Sequence, residues 1–146
     1  MVKEFDIAGR KLGAESPCLI IAEAGVNHNG DLEKARQLVD CAADAGADAI
    51  KFQTFKAEQL VTAEAPKAGY QKENTDSDES SFEMLRQLQL ELDGYQELKE
   101  RCESHGMLFI STPFDRESVD FLDDLGVAIF KIPSGEITNL PLVNYI

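Results

Sequence analysis

The chain has 146 residues, of which 43% are hydrophobic and 28% charged, and a formal net charge of −13, as in a soluble globular protein with its own core. The acidic balance, without a basic stripe, excludes nucleic acid and anionic membranes as expected partners, although a few lysines can still form a local anion site. Three widely spaced cysteines that match no zinc pattern, and the lack of a signal peptide or an apolar run long enough to span a bilayer, predict a reduced, cytoplasmic protein.

The first elements are a small cap and a buried strand. Residues 3–13 alternate loosely around an Ala-Gly-Arg-Lys turn and predict a β-hairpin, which we assign to an N-terminal cap of residues 1–16. Residues 18–25 form a nearly continuous apolar run, which is typical of a strand covered on both faces. Asp31 is then placed to cap a helix over residues 32–45, whose apolar positions recur with helical spacing.

A helix–glycine–strand pattern repeats along the rest of the chain. Glycines 46, 106 and 126 each separate a predicted helix from the next predicted strand. The further predicted strands are 47–55, 107–114 and 127–135, and the further predicted helices are 81–91, 93–105 and 116–125. This order predicts a parallel α/β protein. Residues 56–80 are polar and without a period, which indicates either a functional loop or a solvated insertion.

The number of β/α units suggests an incomplete barrel. An eight-stranded barrel needs about 250 residues, whereas this sequence stops at Ile146, a few residues into another predicted helix. We therefore expect residues 17–146 to be the first four β/α units of a TIM (β/α)8 barrel, with the C-terminal half absent. A self-contained, four-stranded open sheet is the alternative.

Polar residues recur in phase near the carboxyl ends of the four predicted strands. Side chains alternate along a barrel strand, and active sites lie at the carboxyl ends of the strands. One face of each strand and the turn after the fourth bring seven polar residues to one mouth: Glu23, Lys51, Gln53, Thr112, Lys131, Ser134 and Glu136. For any one of them alone, a structural salt bridge or a solvated strand end is the alternative.

These residue types suit the binding of a small anion. Two lysines provide point charges for a phosphate or carboxylate, and backbone N–H groups at Ser134–Glu136 add to the site. The two glutamates suit proton transfer or the positioning of a hydroxyl. We interpret His28 as orienting the loop above Glu23, with a ligand or catalytic role as the alternative, and His105 as a structural residue at a helix end. Because His28 has no second histidine nearby, the sequence predicts no complete metal site.

Four stretches in order resemble the sialic acid synthase family over essentially the whole chain. They are IAEAGVNHNG, ADAIKFQTF, FISTPFD and FKIPSGEITNLPL. The stretch AGYQKENTDSDESSFEMLRQLQL is most similar to the bacterial branch that makes sialic, legionaminic and related nonulosonic acids. The resemblance implies a transferase that condenses phosphoenolpyruvate with an N-acetylmannosamine-type sugar and releases phosphate by C–O cleavage.

The resemblance also implies roles for individual residues. The phosphoenolpyruvate contacts fall on Lys51, Gln53, Thr112, Lys131 and Ser134. The acid/base carboxylates fall on Glu23 and Glu136, and Asn74 falls on a position that touches the acceptor sugar. The family has a TIM barrel followed by an antifreeze-protein-like domain, and its members form homodimers. Its divalent metal, typically Mn²⁺, is bound by histidines on later strands, so the ligands are expected outside this chain.

Two other functions stay open at the level of the sequence. A Schiff-base aldolase would use Lys51 or Lys131 as its nucleophile. Alternatively, the isolated chain is catalytically inactive, because a half barrel exposes two unpaired strand edges.

Overall fold

The fold of the chain is given by a computed structural model, which describes residues 4–63 and 80–146. Five strands lie in two separate sheets. The strands are β1 (Phe5–Ile7), β2 (Arg10–Leu12), β3 (Ile21–Gly25), β4 (Ala49–Thr54) and β5 (Leu108–Pro113). Strands β1 and β2 form the predicted antiparallel hairpin, and β3, β4 and β5 form a parallel sheet in that order.

Six α-helices connect and follow these strands in the described part of the chain. They are α1 (Leu32–Asp44), α2 (Ala57–Leu60), α3 (Ser81–Leu88), α4 (Leu92–Ser104), α5 (Arg116–Asp124) and α6 (Leu140–Val143). The cap of α1 is the predicted one, since the Asp31 side chain accepts hydrogen bonds from the backbone N–H groups of Glu33 and Lys34. Ser80 and Glu83 form a reciprocal capping box at the start of α3. No helix in the described ranges combines the length and the hydropathy of a membrane span.

The hydrophobic core lies between one face of the parallel sheet and the helices. Ile50 and Phe52 of β4 and Phe109 of β5 point into it and pack with Val39 of α1 and Leu98 of α4. Because side chains alternate along a strand, the intervening positions of β4 and β5 face the other way. The α/β class and the parallel sheet are therefore as predicted, and the candidate site residues Lys51, Gln53 and Thr112 lie on the face turned away from this core.

The fourth predicted strand, residues 127–135, is largely wrong. The described structure has there a single parallel bridge between Phe130 and Ser111 of β5, followed by a 3₁₀ turn over Ser134–Glu136. Pairing with β5 thus stops after Phe130, before the turn that begins at Ser134. Through the bridge at Phe130 this segment still lies next to β5, in the place predicted for the fourth strand.

The hairpin is fastened at the amino ends of the parallel strands. Arg10 of β2 donates one hydrogen bond to Asp48, at 2.5 Å, and one to the backbone carbonyl of Gly106, at 2.8 Å. Asp48 also accepts the backbone N–H of Ile20 at 2.8 Å. These residues directly precede β3, β4 and β5, so one arginine and one aspartate tie the hairpin to the end of the sheet opposite the predicted site.

Candidate functional site

An ion pair between Glu23 and Lys51 lies at the centre of the candidate site. The two residues are direct partners in the register of β3 and β4, and the Lys51 ammonium donates to Oε2 of Glu23. The lysine side chain is 15% exposed, whereas that of the glutamate is 52% exposed. The cation is thus partly withdrawn from water, and its counter-ion reaches out from the edge of the sheet.

A glycine makes room for the Glu23 carboxylate. The register of β3 shifts between Glu23 and Gly25, and Gly25 has a φ of +54°, a conformation that glycine adopts without strain. A Cβ atom at this position would lie 3.3 Å from Oε1 of Glu23 and 3.6 Å from Nε2 of Gln53. The sequence pattern places Gly25 on this face but assigns it no role; its signal is a glycine two residues after a lone acid at a strand end.

Thr112 lies beside Gln53 on the same face of the sheet. The two residues are partners in the register of β4 and β5. Thr112 is 1% exposed, and its Oγ1 has no hydrogen-bond partner among the described residues. On the opposite face, Thr54 and Ser111 share a hydrogen bond of 2.7 Å between their hydroxyls. Because buried hydroxyls are normally paired, the Thr112 hydroxyl keeps an unused hydrogen-bonding capacity on this face.

The remaining predicted residues follow the end of this sheet. Since Phe130 pairs with Ser111, alternation places Lys131, which is half-buried, on the side of Thr112. Ser134 is exposed in the 3₁₀ turn, and Glu136 there accepts a hydrogen bond of 2.6 Å from the Asn139 side chain. The structure thus brings Glu23, Lys51, Gln53 and Thr112 together and places Lys131 on their face, whereas it joins Glu136 to Asn139. Asn74 lies outside the described residues.

His28 holds the loop between β3 and α1. It is 1% exposed, its Nδ1 accepts the backbone N–H of Gly30 at 3.1 Å, and its ring lies 6.0 Å from that of Phe52. Burial lowers the pKa of the imidazole, and because Nδ1 accepts, the proton of the neutral ring is on Nε2. This geometry agrees with the predicted loop-orienting role.

The described residues do not fit a metal ion. They contain no group of three or more histidine, cysteine, aspartate or glutamate side chains that could hold one. His28 packs against the core-facing ring of Phe52, and His105 lies 3.2 Å from the Asp40 carboxylate beside α1. Neither histidine is therefore joined by a second metal-ligating side chain on the sheet face that carries Lys51.

Comparison with known proteins gives matches over most of the chain. The model of the NeuB family matches residues 38–146. The chain is 55% identical over 128 residues to the N,N'-diacetyllegionaminic acid synthase of Campylobacter jejuni, an alignment that covers 88% of this chain and 38% of that protein. It is 52% identical over 133 residues to the enzyme of the same name from Legionella pneumophila, covering 91% of this chain and 37% of the relative.

A solved structure shows the same arrangement of elements. The N-acetylneuraminic acid (sialic acid) synthetase of Leptospira borgpetersenii, in complex with citrate, superposes with a TM-score of 0.81 at 34% identity. The match covers 99% of this chain and 46% of that one. The chain therefore spans less than half the length of these relatives.

Proposed function

The chain belongs to the NeuB family, and on that premise we propose that the full-length protein condenses phosphoenolpyruvate with an N-acetylmannosamine-type sugar to give a nonulosonic acid and phosphate. The observation that carries the proposal is the row of polar groups at the carboxyl end of the parallel sheet, where the Lys51–Glu23 ion pair lies beside Gln53 and Thr112. A transferase that binds a phosphorylated enol needs cations and hydrogen-bond donors of this kind.

We also propose that the parallel sheet and its helices form part of a TIM barrel. The face of the sheet that carries Ile50 and Phe52 packs on helices, while the opposite face carries Lys51 and Gln53. In a TIM barrel the first of these faces contacts the outer helices and the second faces the barrel interior, with the active site at the carboxyl ends of the strands. We therefore assign residues 17–146 to the first part of such a barrel and residues 1–16 to its cap.

Binding of phosphoenolpyruvate would use four side chains on this face and one in the turn that follows. Lys51 and Lys131 hold the phosphate and carboxylate charges, and the amide of Gln53 and the hydroxyl of Thr112 donate hydrogen bonds to their oxygens. Ser134 and the backbone N–H groups of the 3₁₀ turn add neutral donors. The unpaired Oγ1 of Thr112 supports this assignment, because a bound oxygen would satisfy it.

The proposed chemistry joins two carbons and breaks one C–O bond. C3 of phosphoenolpyruvate attacks the aldehyde carbon of the open-chain sugar, and positive charge develops at C2. Water adds to C2 and loses one proton while the aldehyde oxygen gains one, which leaves a hydroxyl and the phosphate ester on C2. The C–O bond to phosphate then breaks, the C2 hydroxyl passes its proton to the departing phosphate, and C2 becomes the ketone. Glu23 and Glu136 would move these protons or stabilise the charge at C2.

The manganese ion that the family resemblance implies has no ligand group among residues 4–63 and 80–146. We expect its ligands outside these residues, and no step above depends on it. For the same reason we propose that the isolated 146-residue chain has no turnover. We also propose that this chain self-associates through its unpaired sheet edges, and that the full-length protein is a homodimer.

A Schiff-base aldolase is the runner-up. Its lysine must attack as a free amine, whereas Lys51 is engaged in an ion pair with Glu23. This pairing favours anion binding by Lys51 over nucleophilic attack. Borohydride treatment in the presence of pyruvate separates the two functions, because an aldolase would be trapped as a covalent adduct on Lys51 or Lys131.

The test of the proposed function is phosphate release by the full-length protein. It would be incubated with phosphoenolpyruvate, Mn²⁺ and two acceptors, a 2,4-diacetamido trideoxy sugar and N-acetylmannosamine. The diacetamido sugar comes first, because the two relatives above are N,N'-diacetyllegionaminic acid synthases. With the bridging oxygen of phosphoenolpyruvate labelled by ¹⁸O, C–O cleavage leaves the label in the phosphate. No phosphate release with either sugar would contradict the proposal.

A further inference from the structure

We propose that the Glu23 carboxylate occupies the anion position of the site while the site is empty, and that an anionic substrate displaces it from Lys51. The inference rests on the proposed function, which makes the substrate an anion. It assigns Glu23 an additional role as the internal counter-ion with which every substrate must compete.

The backbone creates the ion pair. Glu23 and Lys51 are direct neighbours across two hydrogen-bonded parallel strands, which lie about 4.8 Å apart. Both side chains project from the same face at the same level. The pair therefore follows from the strand register, and any anion that approaches Lys51 meets a carboxylate already there.

The position of the carboxylate coincides with the predicted substrate contacts. Oε2 of Glu23 accepts from Lys51, and Oε1 lies over Gly25, at 3.3 Å from where a Cβ would be. The amide nitrogen of Gln53 lies 3.6 Å from that same point. Lys51, which is assigned to phosphoenolpyruvate, thus already contacts an oxyanion of the protein, and the Gln53 amide lies by the same glycine.

Charge and exposure explain why the exchange is feasible in both directions. Lys51 is 15% exposed and keeps a counter-ion in either state, so its charge is never left alone. Among the described residues the Glu23 carboxylate is bonded to Lys51 alone, so its displacement breaks one ion pair and no other described contact. Two anions held on one ammonium repel each other, and this repulsion favours exchange over simultaneous binding.

The test compares anion affinity when the internal carboxylate is removed. Isothermal titration calorimetry of the full-length protein with inorganic phosphate, and separately with phosphoenolpyruvate, would be run on wild type, Glu23→Gln and Glu23→Ala. Because the net strength of a partly exposed ion pair is small, we expect both variants to bind about two- to fivefold more tightly. The gain should shrink at high salt.

Glu103→Gln is the matched control. Glu103 is 57% exposed and paired with Lys99, as Glu23 is with Lys51, but it lies on α4. The variant changes the net charge by the same amount and should bind both anions as wild type does. An equal gain in Glu103→Gln would mean that overall charge is responsible, which overturns the proposal.

The remaining outcomes separate this inference from the proposed function. Unchanged or weaker binding in both Glu23 variants overturns the displacement, and so does the absence of anion binding in wild type and variants alike. If wild type releases phosphate with a sugar but the Glu23 variants bind no more tightly, the synthase function stands and this inference fails. If the variants bind anions more tightly but the full-length protein shows no synthase turnover, this inference stands and the proposed function fails.

Discussion

Gly30 lies so close to the backbone of Gln87 that a Cβ atom on Gly30 would be 2.3 Å from the Gln87 carbonyl oxygen. This approach packs the β3–α1 loop, which His28 holds, against the last turn of α3. The loop directly above Glu23 is therefore fixed from two sides, by the hydrogen bond from Gly30 to His28 and by this close approach. Any residue larger than glycine at position 30 would collide with the backbone of α3.

Gly30→Ala should therefore destabilise the protein strongly. Gly30 has a φ of +72°, a conformation that costs an alanine about 1–2 kcal/mol. The methyl group of the alanine would also collide with the Gln87 carbonyl oxygen, which is a backbone atom and cannot move aside as the end of a side chain could. The total loss should exceed about 3 kcal/mol. Urea unfolding of wild type and variant measures it as a shift in the transition midpoint.

Gly46→Ala is the control for this prediction. Gly46 has a φ of +77° but would place its Cβ in open space, so only the backbone strain of about 1–2 kcal/mol should appear. Equal losses at the two glycines would show that the contact with Gln87 contributes nothing.

The two threonines on opposite faces of the sheet provide a second prediction. Thr112→Val removes a buried hydroxyl that has no partner among the described residues, so stability should be unchanged or slightly raised. Thr54→Val leaves the Ser111 hydroxyl without its 2.7 Å partner and should cost about 1–3 kcal/mol. Thermal unfolding of both variants measures the difference.

The effects of the two substitutions on the KM for phosphoenolpyruvate should be the reverse of their effects on stability. Loss of one hydrogen bond to an ionised oxygen of phosphoenolpyruvate should raise its KM in Thr112→Val by roughly 10- to 100-fold. In Thr54→Val the KM should stay at the wild-type value, because Thr54 faces the helices. A Thr112→Val variant that is less stable but has an unchanged KM would remove Thr112 from the site.

Acid sensitivity is expected from the contact between α1 and α4. The Arg101 guanidinium donates two hydrogen bonds of 2.7 Å to Asp40 and holds the pKa of this carboxyl below its usual value. A lowered pKa in the folded state means that the carboxylate stabilises the protein above the unfolded-state pKa, near 4. This contribution is lost as the pH falls through the folded-state value.

Asp40→Asn should therefore unfold at a lower temperature than wild type at pH 7, by a small margin because the pair is partly exposed. The two melting temperatures should converge as the pH is lowered below about 4. Thermal unfolding followed by circular dichroism between neutral and acid pH checks this. A difference that persists undiminished at the acid end would mean that Asp40 acts through packing instead of charge.

The sequence predicts much of this fold because hydrophobic periodicity and capping residues are local signals. The helix predicted over 32–45 is found at Leu32–Asp44, and the strand predicted over 47–55 at Ala49–Thr54. The strand predicted over 127–135 is not found as such, because an apolar run does not show how many of its residues pair with β5, and only Phe130 does. Strand formation depends on hydrogen-bonding partners as well as on hydrophobicity.

The candidate site could be predicted from the phase of the strands, since alternation alone places Lys51 and Gln53 on one face. The pairing of Glu23 with Lys51 depends on strand register, and the role of Gly25 depends on the shift within β3. Both are relationships between distant segments, so no single stretch of sequence contains them. The assignment of all these residues, and of Ser134 and Glu136, to a substrate site stays a prediction; the described contacts join Glu136 to Asn139.

Lys51→Met should abolish most of the synthase activity. The variant keeps a long apolar stem in a half-buried position and removes the cation that we assign to the substrate anion, a charge-assisted contact of about 1.5–3 kcal/mol. The expected loss in kcat/KM for phosphoenolpyruvate is therefore roughly 10- to 100-fold. Lys99→Met is the matched control, because Lys99 is 21% exposed and paired with Glu103 on α4. Steady-state phosphate release by the two variants decides the matter: equal activities, or an equal loss in both, would show that Lys51 does not bind the substrate.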